Sequence, residues 1–342
     1  MTQARKTLVD PATTSYYHCI GRCVRRAWLW GEDPVSGRNY EHRKNWVVAR
    51  LAELSEVYTI DVCAYTVMSN HYHVVVRLDV EKSRALSDSE VISRYRRLFK
   101  LPLLIERFVE GLTGEAENLA VQKILTQWRE RMCDLSWYMR SLNEHLARLA
   151  NAEDGCKGRF WEGRYKSQAL LDDAAVLTCM SYVDLNPLRA GIAETPETSD
   201  FTSIQQRIRD IQAQSASART APANALDAAD SQPPLMPLVN ASNDSHVHAL
   251  GYTERDYLEL VDWAGRAVRS DKKGAIPHDI PPILARLGLD PARYLHHMNG
   301  SGKLTLHLTA LGSLDNLSAL AQRLGQAFVK GSGVARQLYC GG

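Results

Sequence analysis

The chain has 342 residues, long enough for one large domain or two smaller ones, with the apolar and charged content of an ordinary globular protein. A net charge of +2 excludes a global polycation, so any nucleic-acid surface has to be local. No run of about 18 apolar residues occurs, which argues against a transmembrane helix.

Tyr16 to Trp30 alternates loosely, with Tyr16, His18, Ile20 and Arg22 two apart. It reads as a first strand bearing Arg22, Arg25 and Arg26 on it or just after it. Cys19 and Cys23 then share one side as small packed residues, not zinc ligands. Glu41 to Ser55 has helical spacing, and Tyr58 to Met68 reads as a second strand. Ser69 and Asn70 make a polar turn into a third strand, His71 to Leu78, whose Val74-Val75-Val76 core marks it as buried. Side chains two apart on a strand leave the same face. His71 and His73 therefore stand side by side at the mouth of this hairpin, half of a divalent metal site. The plain alternative is a pair of partly buried histidines bonded to backbone or water.

Ser87 opens a polar helix to Lys100, with Glu90 at capping-box spacing. Residues 101–131 read as a helical excursion broken around Gly111 to Gly114, and Leu135 to Ala150 has a clear helical period. Gly155 to Leu171 is a glycine-punctuated loop and a strand. Asp172 to Asn186 is a helix capped by Asp172 or Asp173 and ended by Pro187. It carries Tyr182 and Asn186 four apart on one face. Taken alone, Tyr182 reads as a core tyrosine and Asn186 as a residue chosen for the proline that follows. From about 213 to 249 the chain turns to Ala, Ser, Asn, Asp and Pro and reads as a flexible linker. Beyond it, Thr253 to Val268, Pro281 to Leu287 and Ser313 to Phe328 look helical, and His296 and His297 are adjacent and would splay apart on a helix. The expected division is thus 1–212, a linker at 213–249, and a helical extension at 250–342.

The opening Met-Thr-Gln-Ala-Arg-Lys is not followed by an apolar core and reads as no signal peptide. Seven cysteines without paired spacing point to reduced thiols and a cytoplasmic location.

Three stretches in order, His71-Tyr72-His73, Gly158-Arg159-Phe160-Trp161-Glu162-Gly163-Arg164 and Tyr182-Val183-Asp184-Leu185-Asn186-Pro187-Leu188-Arg189-Ala190-Gly191, resemble the single-tyrosine HUH transposases. The subgroup most resembled is the REP-associated tyrosine transposases, over about residues 14–210. The excursion at 101–131 makes the interval between the histidine strand and the Phe-Trp element longer than the family pattern.

The resemblance implies an α+β fold: a ferredoxin-like antiparallel sheet with packed helices of the HUH endonuclease type, plus the helical C-terminal extension. It implies that His71, His73 and Asn186 hold a divalent metal, Mg²⁺ or Mn²⁺, and that Tyr182 is the catalytic nucleophile. Tyr138 and Tyr165 are followed four later by Leu142 and Ala169, which offer no ligand. Two imidazoles and an amide leave the ion's charge intact, although such nitrogen donors favour Zn²⁺, Ni²⁺ or Cu²⁺ by affinity. The activity implied is transposition of single-stranded or hairpin DNA through a 5′-phosphotyrosine and a freed 3′-hydroxyl.

Arg22, Arg25, Arg26, Lys157, Arg159, Arg164 and Lys166 are the expected DNA contacts, with Phe160 and Trp161 read as packing residues. Family members occur as monomers and as dimers that share active sites, so a homodimer is one of two implied states. Two alternatives stand beside this reading. One is the same chemistry in a domesticated nuclease or relaxase-like protein, and the other a non-catalytic regulator that binds hairpin nucleic acid. The extension at 250–342 is either an accessory DNA-binding or dimer-contact domain or a plain helical addition.

Overall fold

A computed structural model describes residues 9–24, 31, 37–217, 232–238, 250–268, 281–298 and 308–339. Alternating residues build β1 (Tyr16–Arg22), and α1 (Arg43–Val57) returns the chain to β2 (Ile60–Val67). The Ser69-Asn70 turn closes on a Met68 N to His71 O hydrogen bond of 2.8 Å and starts β3 (His71–Leu78). Three short helices follow, α2 (Val80–Ala85), α3 (Asp88–Leu98) and α4 (Leu103–Val109), then the longer α5 (Glu115–Met132) and α6 (Leu135–Glu153). The capping box expected at Ser87 and Glu90 is formed in full. Asp134 caps α6 by accepting from the backbone of Ser136 and Trp137. β4 (Lys166–Leu170) completes the β-α-β-β-α-β succession of a ferredoxin-like unit.

β1 lies between β3 and β4, antiparallel to both, and β2 pairs antiparallel with β3. The protein is therefore α+β, with a mostly antiparallel sheet in the order β2-β3-β1-β4 followed by a short fifth strand at the edge. One sheet face carries Tyr17, Cys19, Tyr72, Val74 and Val76 and packs on α1 and α6. Gly21 is part of that packing. A Cβ there would stand 2.4 Å from Cε1 of the fully buried Tyr72 ring, so only glycine fits beneath it. The excursion at 86–132 has a small core of its own, built from α3, α4 and α5 around Val91, Ile105, Val121, Leu125 and Trp128. Cys19 and Cys23 are both buried in the main core, as their reading as packed residues requires.

The opposite face is covered by α7 (Asp173–Asp184), whose N-terminus Asp172 caps by accepting from Ala175 N at 2.8 Å. The chain does not stop at Pro187. Pro187 instead enters the first turn of a short helix, α8 (Asn186–Arg189), where its missing N–H is no loss. A single 3-10 turn at Pro196–Thr198 and α9 (Ser203–Ser217) follow. The boundary expected at 212 thus falls inside α9.

Within the segment read as linker, residues 232–238 are docked and not free. Met236 N donates to Val62 O at 2.8 Å, Gln206 Nε2 to Pro233 O at 2.8 Å, and the buried Arg207 guanidinium to Met236 O at 3.0 Å. The remaining helices are α10 (Glu254–Val268), α11 (Pro282–Arg286), α12 (Pro291–Met298), α13 (Leu314–Arg323) and α14 (Ser332–Leu338). Thr253 and Asp256 cap α10 reciprocally. A two-residue strand, β5 (Ala310–Leu311), runs parallel to β4 at the sheet edge.

The C-terminal helices share a core with α7 and the sheet face beneath it. Tyr257, Leu260, Val261, Trp263, Leu284 and Tyr294 pack in one cluster with Val75, Leu177, Met180 and Val183. α7 is consequently enclosed between the sheet and α10–α12. Two carboxylates fasten it. Asp172 accepts from Ser313 N, Asn316 Nδ2 and the Tyr339 hydroxyl, while Asp184 accepts from Ser203 Oγ, Ile204 N and the Tyr257 hydroxyl.

Candidate active site

Register decides which side chains meet. Ile20 stands opposite His73 on one side and Lys166 on the other, and Arg22 stands opposite His71. His18, Ile20, Arg22, His71, His73, Lys166 and Gln168 therefore share the face that α7 covers.

His71 and His73 have ring centroids 4.9 Å apart. The Nδ1–H of His71 donates to Asn70 Oδ1 at 2.7 Å, which keeps the lone pair on Nε2. Nδ1 of His73 shares a 2.8 Å hydrogen bond with Nε2 of His18, and the two rings stack at 5.0 Å. Each histidine of the pair thus has one nitrogen held by a protein partner, the arrangement that orients a ligating imidazole. All three rings are kept neutral. Burial pushes His71 down to about 4, with Arg22 and Arg189 adding to it, and pushes His18 down to about 4 against the opposing effect of Gln168. Burial, then the neighbouring His18, His71 and Arg189, hold His73 well below the usual histidine range. Neutral rings are what metal ligation requires.

Tyr182 lies next to this pair, its ring centroid 6.0 Å from that of His73. From Ala174 to Asp184 every side chain of α7 is buried except Tyr182, which is half-buried. The Arg189 guanidinium carbon lies over the phenol ring, 3.6 Å from its centroid. Asn186 follows on the turn that opens α8, largely buried, with Nδ2 lacking a hydrogen-bond partner. Rotating that amide by 180° exchanges N for O. The orphaned position thus suits a cation through oxygen or a phosphate through N–H. Among the described residues no three His, Cys, Asp or Glu side chains form a metal cluster. A metal here would be held by two neutral imidazoles and one amide, a donor set that leaves coordination positions open for phosphate.

A comparison with solved structures finds the structure of a REP-associated tyrosine transposase bound to a REP hairpin. It is 11% identical, has a TM-score of 0.35, and covers 69% of this chain and 99% of that one. No family model and no curated protein matches the sequence.

The expected DNA contacts divide. Arg22 and Lys166 are exposed on the histidine face, with Arg22 loosely paired to Glu162 at 3.9 Å. Lys157, Arg159 and Arg164 are exposed in the loop before β4. That loop is tied to the end of β1 by the Val24 N to Phe160 O and Glu162 N to Arg22 O hydrogen bonds. Arg25 and Arg26 lie outside the described residues. Phe160 and Trp161 are packing residues: their rings meet edge to face, Trp161 meets Tyr72 in the same way, and its Nε1 donates to Asn143 O at 2.8 Å.

Two residues of the site carried little sequence signal. His18 was visible only as one position in the two-residue alternation from Tyr16 to Arg22. Arg189 lies seven residues after Tyr182, about two helical turns, and was visible only as a member of the Tyr182 to Gly191 stretch, with no role attached. No described helix is long and apolar enough to cross a membrane.

Proposed function

We propose that this chain is a DNA strand transferase of the transposase type, acting on single-stranded or hairpin DNA with Tyr182 as nucleophile. The observation that carries the reading is the one half-buried side chain of an otherwise enclosed helix, a phenol set 6.0 Å from the ring of His73. A divalent ion, Mg²⁺ or Mn²⁺, would be held by His71, His73 and Asn186, and when bound it neutralises and orients the scissile phosphate. Tyr182 Oη attacks phosphorus and gives up its proton. The O–P bond to tyrosine forms while the P–O3′ bond breaks, and the departing 3′-oxygen takes up a proton. The product is a 5′-phosphotyrosine whose bond energy a second 3′-hydroxyl can recover by the reverse step. Arg22 and Lys166 flank the histidines and would hold backbone phosphates, joined by Lys157, Arg159 and Arg164 from the adjoining loop. In this reading residues 1–212 carry the chemistry and residues 250–342 are an accessory segment.

The test uses single-stranded DNA from the gene's flanks, labelled at its 3′ end, with Mn²⁺. The label should move to protein and survive denaturant. It should be lost in Tyr182→Phe, in His71→Ala/His73→Ala, and on chelation, while DNA binding by Tyr182→Phe persists. A denaturant-stable adduct in Tyr182→Phe would overturn the assignment of the nucleophile. Metal-independent binding with no cleavage of any hairpin substrate would favour the regulator instead.

A further inference from the structure

Arg189 makes contacts that a surface cation at the end of a short helix does not need. Its guanidinium carbon stands 3.6 Å over the Tyr182 ring centroid. Nη2 donates to the Tyr182 carbonyl at 3.2 Å, so the same side chain holds both the ring and the backbone of that residue. Nη1 donates to the Met298 carbonyl at 3.3 Å, at the end of α12. Nε is buried with no hydrogen-bond partner, and among the described residues no carboxylate forms an ion pair with this guanidinium. Burying a guanidinium in that state is unfavourable unless something else is gained.

We infer that Arg189 is a positioning residue for Tyr182, holding the phenol with a cation laid over its ring and a hydrogen bond to its carbonyl, and fastening it to the C-terminal segment through Met298. This rests on Tyr182 being the nucleophile. From Ala174 to Asp184 the phenol is the one α7 side chain not fixed by burial, so without a clamp its ring would sample other rotamers. His73 meets the ring edge to face, with rings at 73°, and the guanidinium covers the ring. An aligned nucleophile is worth much in rate, and a displacement of about 1 Å can lower it on the order of 100-fold. The contact to Met298 also makes the C-terminal segment part of the site, which a mere extension would not be.

The experiment has two arms on the full chain. In the first, the single-turnover rate of adduct formation is followed across DNA concentration for wild type, Arg189→Lys and Arg189→Gln. Arg189→Gln should lower the saturating rate by about 10- to 100-fold with the half-saturating DNA concentration within about twofold. Arg189→Lys keeps the charge but not the planar stack, so it should fall between. In the second arm, 3-fluorotyrosine is placed at position 182 alone and its fluorine resonance recorded without DNA. One sharp resonance is expected with Arg189, and a shifted, broadened one with glutamine. This arm is independent of activity: if wild type forms no adduct, the functional reading fails while the fluorine spectrum still judges the clamp. Saturating rates within twofold of wild type, a change confined to half-saturation, or an unchanged resonance in Arg189→Gln would each overturn the inference. If Arg189→Gln does not fold, Arg189→Lys decides through the same readouts.

Discussion

Tyr257→Phe tests whether the C-terminal helices are truly fastened to the tyrosine helix. Asp184 is fully buried on α7, and burial raises its carboxyl to about 6, so it is ionised at pH 8. Its Oδ1 accepts from Ser203 Oγ at 2.5 Å and Ile204 N at 3.0 Å. Among the described residues, the one hydrogen bond to Oδ2 comes from the Tyr257 hydroxyl on α10. Tyr257 is itself fully buried, so water has no easy access to replace the lost donor. A hydrogen bond to a charged group contributes about 1.5–3 kcal/mol, so Tyr257→Phe should destabilise by about 2 kcal/mol with almost no change in shape. With a urea dependence of about 3 kcal/mol per molar, the unfolding midpoint at pH 8 should fall by about 0.7 M. Asp184→Asn should also destabilise, and the double variant should lose at least about 0.5 kcal/mol less than the sum, because the two residues share one interaction. A midpoint unmoved by Tyr257→Phe, or strict additivity in the double variant, would refute the reasoning.

Gly21→Ala should destabilise by about 1–3 kcal/mol, since the new methyl meets the Tyr72 ring; the loss should shrink in a Tyr72→Leu background, as read by urea unfolding. Trp161→Phe should lose about 1 kcal/mol with its Asn143 hydrogen bond yet bind single-stranded DNA as wild type does in a filter assay, because its ring packs on Tyr72 and Phe160. A chain ending at residue 249 should elute as aggregate in size-exclusion chromatography, because it uncovers the apolar side of α7 that Leu260, Trp263 and Tyr294 cover; a soluble monomer would count against a shared core.

The hairpin, its two histidines and the α3 cap were legible because each depends on local spacing: period two along His71 to Val76, and three residues from Ser87 to Glu90. The role of 250–342 was hidden, although a clue lay in α7. Ala174 to Val183 holds no charged residue, and its Thr178 and Ser181 hydroxyls bond back to the helix's own carbonyls, which marks a helix enclosed on both sides and not one lying on a sheet with its back to water. α9 does carry an apolar period in Ile204, Ile208 and Ile211, but it is diluted because Gln205, Gln206 and Arg207 are also buried, through hydrogen bonds to backbone and side chains. β5, with two residues, is too short to show any period. Of the site itself, spacing put His71 beside His73, and the structure sets Tyr182 against His73. The hydrogen bond from His18 depends instead on the register of β1 against β3, which no stretch of either strand encodes alone.

The enclosure of α7 also constrains motion. Walled by the sheet beneath and the helical layer above, and pinned at each end through Asp172 and Asp184, this rod gives its phenol a fixed base, so only torsion of the Tyr182 side chain is left to move the hydroxyl.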